Sequence, residues 1–156
     1  MSGTAAALRL IEHGQALLPT QLVDLQPTPS GTWTSTGLEV VLSAAGTYQL
    51  DATVRAAMTG TSPVNTFIWA RLFDVDAGAV VPDSEVFVLQ LNPSVTSGTI
   101  TDGKNQTASI QVEYTVPGPR RVRLEAARTN NVGASSKAEI WSNSGGRTLL
   151  RYLRIA

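Results

Sequence analysis

The stretch Gly46-Thr47-Tyr48-Gln49-Leu50-Asp51-Ala52-Thr53-Val54-Arg55-Ala56 decides the fold. After the glycine, apolar and polar residues alternate without a break. Tyr48, Leu50, Ala52, Val54 and Ala56 share one face; Gln49, Asp51, Thr53 and Arg55 share the other. A period of two marks a strand with one side on a core and the other in water.

The same texture continues in both directions. Upstream, Gln21 to Leu25, Thr32 to Thr36 and Leu38 to Leu42 read as short strands, with Pro27-Thr28-Pro29-Ser30-Gly31 as a turn. Downstream, Phe67 to Val75 carries Phe67, Trp69 and Phe73 on one face and Ile68, Ala70 and Leu72 on the other. Apolar residues on both faces imply burial on both. Glu85 to Leu91, Ser109 to Val116, Arg121 to Ala127, Ala138 to Trp141 and Thr148 to Ile155 complete the set, and Asn92 to Thr107 reads as a long exposed loop. About eight to ten short strands with regular turn signals predict an all-β antiparallel sandwich or barrel. Residues 3–18 are the least β-like; residues 1–30 read as an arm or first strand, with residues 31–156 as the head domain.

The chain has 156 residues, no cysteine, a formal net charge of zero and only 15% charged residues, against about 25% in typical soluble domains. Disulfides and thiolate metal sites are therefore excluded. Zero net charge gives no overall pull toward nucleic acid or anionic lipid. No apolar run has membrane-spanning length, and Met1 to Leu10 lacks the basic and apolar blocks of a signal peptide. The expectation is no membrane partner and synthesis without Sec export. The charge is nonetheless polarised. Residues 1–102 hold nine acids and three bases; residues 103–156 hold three acids and nine bases. Early and late strands of a sandwich interleave, so pairing across strands or across subunits is expected.

No catalytic constellation accompanies this architecture. His13 is the sole histidine and lies in the least regular segment. Asp74-Val75-Asp76-Ala77-Gly78 is similar to the start of a calcium loop, but the further oxygen ligands and closing glutamate of that pattern are missing, so a turn is the preferred reading of Asp74 and Asp76. Ser144-Gly145-Gly146-Arg147-Thr148 is a hairpin turn and not a phosphate loop, lacking lysine and spacing. The sequence predicts a non-enzyme without cofactor. Arg120 and Arg121 are candidates for binding an acidic partner surface. Trp33, in a threonine-rich strand, is the best candidate for stacking on a sugar.

Gly37-Leu38-Glu39-Val40-Val41-Leu42, then Gly46-Thr47-Tyr48 with its alternating strand, Trp69-Ala70-Arg71-Leu72-Phe73, and the closing Thr148 to Ile155 resemble the jelly-roll superfamily of tumour-necrosis-factor and complement-type globular heads. The glycine–aspartate that the family carries at one turn is replaced here by Pro117-Gly118-Pro119. The resemblance covers residues 30–156. It implies a jelly-roll sandwich that forms a homotrimer, with doubly apolar strands filling the monomer core on one side and the threefold axis on the other. Tyr48, Phe67, Trp69, Phe73, Leu150 and Tyr152 are the core or trimer-interface residues so implied. Such heads occur in tailed phages, and the alanine-, glycine- and arginine-rich composition suits a phage of a high-GC host. The expected role is a trimeric protein that decorates the capsid of a tailed bacteriophage, made in the host cytoplasm and located on the virion, with the major capsid protein as partner. Leu8 and Leu10 would contribute to its anchor. The alternative is a receptor- or carbohydrate-binding head of a tail fibre or surface adhesin.

Overall fold

The computed structural model describes residues 11–95 and 97–156. Strands follow one another as β1 (His13–Leu17), β2 (Gln21–Asp24), β3 (Trp33–Leu42), β4 (Gly46–Thr61), β5 (Asn65–Asp74), β6 (Ala79–Val80), β7 (Val86–Leu91), β8 (Thr101–Val116), β9 (Arg120–Val132), β10 (Lys137–Ser142) and β11 (Leu149–Arg154). They form two antiparallel sheets, six strands in the larger and five in the smaller. The fold is the all-β antiparallel sandwich expected from the alternating pattern, consistent with the jelly roll that the resemblance implies. Among the described residues no helix is long and apolar enough to cross a membrane.

The larger sheet is built on β4. β8 pairs with β4 along its whole length, from Gly46↔Val116 to Thr61↔Thr101. The opposite edge of β4 is shared end to end by β11 (Thr53↔Leu149 to Tyr48↔Arg154) and β10 (Thr59↔Lys137 to Arg55↔Trp141). β1 then pairs with β11 and β2 with β10. The smaller sheet runs β3-β9-β5, with β7 and β6 both on the far edge of β5. The inward faces meet in an aliphatic core that includes Leu50, Val54, Ile68, Leu72, Leu89, Leu124, Ile140 and Leu150. Of the nine aromatic residues (three each of Trp, Tyr and Phe), only Tyr48 is fully enclosed there.

Several sequence expectations change. Thr32 to Thr36 and Leu38 to Leu42 are one strand, β3, interrupted by a bulge between Ser35 and Glu39 where Gly37 takes a φ of 86°. A bulge admits an extra residue without ending the ladder, and a glycine adopts that conformation without steric cost. Residues 101–107 are the first half of β8 and not a loop. Their polarity is genuine, since Gly103 to Thr107 are exposed on both faces, but β4 offers them a full row of backbone partners. Of residues 1–30, the described part contributes β1 and β2 to the larger sheet; Leu8 and Leu10 lie outside the described residues.

Part of the polarised charge is paired within the chain. Glu12 pairs with Arg154, Asp51 with Arg151, Asp74 with Arg120 and Asp76 with Arg121. Each joins an early acid to a late arginine.

Gly46 opens the deciding strand for a steric reason. Its φ is 155°, and a Cβ there would lie 2.5 Å from the carbonyl oxygen of Ala156 and 2.7 Å from Arg154 Nε. The C-terminal residues cross at this point, with Thr47 N–H donating to Ala156 O and Ile155 N–H to Thr47 O, both at 2.8 Å. Gly46→Ala is expected to cost about 1–3 kcal/mol and to loosen the C-terminal end of β11. Urea denaturation, with amide exchange at Arg154 and Ile155, measures both effects.

Candidate functional site

Alternation along β5 sends Ile68, Ala70 and Leu72 inward, where they have no exposure, and leaves Phe67, Trp69, Arg71 and Phe73 half-buried on the outer face of the smaller sheet. Strand pairing brings neighbours to each. Trp69 is opposite Ala127 of β9 and Phe87 of β7, and Arg71 is opposite Glu125. On the far side of β9, Trp33 is opposite Ala127 and Ser35 opposite Glu125. All three phenylalanines and two of the three tryptophans therefore share one outward face.

The rings are packed with defined geometry. Phe87 meets Phe67 and Trp69 edge to face, at centroid distances of 5.9 and 5.4 Å. The Arg71 guanidinium lies 4.0 Å from the Trp33 ring centre and 5.5 Å from that of Phe73, which Arg123 also approaches at 5.1 Å. Such stacking aligns a cation with the negative face of the ring. Beneath them sits Glu125, whose side chain is only 4% exposed. Its Oε2 accepts from Arg71 Nε at 2.9 Å, and its Oε1 accepts from Arg123 Nε and Nη2 at 2.8 and 2.6 Å. A buried carboxylate is tolerated because two guanidinium groups compensate its lost hydration.

The residues proposed from sequence separate into distinct places. Tyr48 and Leu150 have no exposure and belong to the monomer's own core, which removes them from any interface between copies. Tyr152 faces inward at the β1 edge, edge to face with Tyr48 at 5.8 Å and close against Gly14. Phe67, Trp69 and Phe73 lie on the outer face of the smaller sheet, whereas β11 belongs to the larger one. These two outer faces point in opposite directions, so residues 67–73 and 148–155 cannot both face one threefold axis. Trp33 shares the aromatic face, with one side of its ring occupied by Arg71. Arg71, Phe87 and Glu125 were not singled out from sequence. The signal was available in the doubly apolar pattern of β5, with one arginine at the centre of its outward row.

Asp74 and Asp76 are occupied by the two arginines proposed for partner binding. Buried Asp74 accepts from Ala77 N at 2.8 Å and from the Tyr114 hydroxyl at 2.7 Å, and pairs with Arg120 at 3.2 Å. Exposed Asp76 accepts from Arg121 N at 2.6 Å and from its Nη2 at 2.9 Å. Hydrogen bonding to Arg121 holds the Asp76 carboxyl below the usual carboxylate range. The two carboxylates serve separate arginines and do not converge. Among the described residues, no group of three or more His, Cys, Asp or Glu is arranged to hold a metal ion.

No protein-family model and no curated protein sequence matches the chain. A chain in the structure of infectious bursal disease virus, Gx strain, superimposes with a TM-score of 0.50 at 9% identity, over 94% of this chain and 32% of that one. The VP2 subviral particle of the same virus gives 0.45 at 13% identity, over 94% and 37% of the two chains. The Eiger TNF from S. frugiperda gives 0.41 at 13% identity, over 95% and 94%. At such identities the likeness concerns the fold alone. The chain spans about a third of the length of these viral chains.

The Asp74 cluster makes a pH-dependent contribution. Burial, and then the hydrogen bond to Asp74, push the Tyr114 hydroxyl up to about 12. An unfolded tyrosine ionises near pH ~10. The raised value means that the stabilisation is full below pH ~10 and is lost as pH rises through about 12. Tyr114→Phe is expected to cost about 1.5–3 kcal/mol at neutral pH, the range for a hydrogen bond to a charged group, and to flatten this alkaline limb. Denaturant midpoints measured between neutral pH and pH ~12 test it.

Proposed function

We propose that this chain is a structural protein of a virion, specifically a non-enzymatic homotrimer that decorates and reinforces the capsid of a tailed bacteriophage. The observation that carries the reading is the placement of its aromatic residues. Five of the nine, all three phenylalanines and two tryptophans, share one outward sheet face, and the core is aliphatic apart from the tyrosines. Aromatic and arginine side chains gathered on a surface are the composition of a protein–protein contact. The jelly-roll fold shared with a chain of a virus structure at a TM-score of 0.50 supports the same reading by analogy of fold.

The two outward faces suit two kinds of contact. On the larger sheet, Leu17, Leu22 and Leu153 are 47%, 53% and 36% exposed. They run beside half-buried Leu149 and Trp141, next to a polar half formed by Gln49, Asp51, Gln111 and Glu113. This face is assigned to contacts between copies, and the aromatic face of the smaller sheet to the neighbouring virion protein. The alternative, a glycan-binding fibre head, has Trp33 in its favour, but Arg71 covers one side of that ring.

Sedimentation equilibrium at micromolar concentration is expected to give about three times the 16.5 kDa chain mass. Leu153→Asp is expected to shift it toward monomer, by placing a charge near Gln49 and Glu113. Phe87→Ser is expected to keep the trimer and lose the density that the protein contributes to a particle map. A 16.5 kDa species for the unaltered chain would overturn the trimer. Absence of the chain from purified particles would overturn the virion role.

A further inference from the structure

We infer that the aromatic face of the smaller sheet seats a carboxylate of a neighbouring protein, an aspartate or glutamate flanked by apolar side chains, on Arg71 and Arg123. The inference rests on the assembly reading above for the kind of partner, a protein. The chemistry of the seat is read from the face itself.

At the centre of this face the two guanidiniums present donors beside the rings. Arg71 spends Nε and Nη2 on Glu125, and Arg123 likewise spends Nε and Nη2. Each guanidinium has a further N–H₂ group, Nη1. Among the described residues no buried side-chain nitrogen lacks a partner, so both Nη1 groups reach the surface. Glu125 cannot accept from a ligand, because it is 3% exposed and both oxygens are already held. An occupant must therefore bring oxygen acceptors. Two guanidiniums share the one buried carboxylate; Glu39, opposite Arg123 in the strand register, is exposed and among the described residues makes no ion pair with it.

Size selects a protein over a sugar. The aromatic residues span β3, β9, β5 and β7, or about 14 Å at the usual strand spacing. Phe67 to Phe73 run about 20 Å along β5. Such a patch is larger than a single saccharide ring and matches the anchor region of a protein interface. A cation stacked on Trp33 and Phe73 in a partly dry setting gives a carboxylate a stronger partner than a solvated arginine would.

The test uses the full chain and two blocked peptides, acetyl-Phe-Asp-Leu-amide and acetyl-Phe-Asn-Leu-amide, titrated while the Trp33 and Trp69 indole N–H and the arginine Nε–H resonances are followed. The expected result is saturable shifts at these groups, with the aspartate peptide binding at least tenfold more tightly. Arg123→Gln, at a side chain already 33% exposed, should remove that preference without unfolding the protein. Equal binding of the two peptides would overturn the inference, and so would shifts confined to other residues. Glucuronate binding as tightly as the aspartate peptide would assign the seat to an acidic saccharide and reject the protein partner. Shifts at the same groups on raising protein concentration alone would assign it to a second copy and reject it likewise. None of these readouts depends on trimer mass or presence on particles, so failure of the seat and failure of the virion reading are distinguishable.

Discussion

Backbone pairing around β4 is the constraint on which the rest of the molecule depends. This strand is sixteen residues long and has a partner on each edge for most of its length. Its inward row, Tyr48, Leu50, Ala52, Val54, Ala56 and Met58, is fully buried. Because a strand has only two edges, the occupation of one by β8 forces β10 and β11 to share the other. The excursion between them, Asn143 to Thr148, is fastened to β4 by Arg55, whose Nη1 donates to Asn143 Oδ1 at 2.8 Å, and by Thr148, whose Oγ1 accepts from Arg55 N at 3.0 Å. The last two strands thus close on one edge of the same central strand, with β1 and β2 paired outside them.

Alternation made this much readable without coordinates. The inward and outward rows of β4, β5, β9 and β11 follow directly from residues such as Tyr48, Leu72, Leu124 and Leu150. Where the period of two carries no apolar contrast, the reading fails. Gly103 to Thr107 are polar at every position because the second sheet does not cover them there, yet they are ladder-bonded to β4. Lys104 shows why such a segment is safe as a strand. It lies opposite Met58, on the inward side, and is exposed; an inward charge on an edge strand discourages pairing with other chains.

The site was legible in its residues but not in its assembly. Phe67, Trp69, Phe73 and Trp33 stand out in the sequence, but whether a doubly apolar strand turns its second face to a symmetry axis or to solvent depends on which sheet holds it. That is a matter of topology. The opposition of β5 and β11 across the sandwich, and the meeting of Arg71 and Arg123 on Glu125, arise from strands far apart in sequence. The pairing of Asp74 with Arg120 and of Asp76 with Arg121 was equally hidden, because acid and base belong to different turns. Two readings that were separate in sequence, a metal loop and a basic patch, become one set of ion pairs.

The same sharing of charge explains why the aromatic face can exist on a folded surface. Exposed rings invite indiscriminate association. Here Glu125 draws two arginines down against Trp33 and Phe73, so cations cover ring faces that water or another chain would otherwise meet. The buried carboxylate is what positions both guanidiniums, and it is itself stable only because both are there. A surface arranged in this way is apolar in contact and charged at its centre. That combination favours a partner able to meet the charge while covering the rings, and disfavours one that brings apolar surface alone.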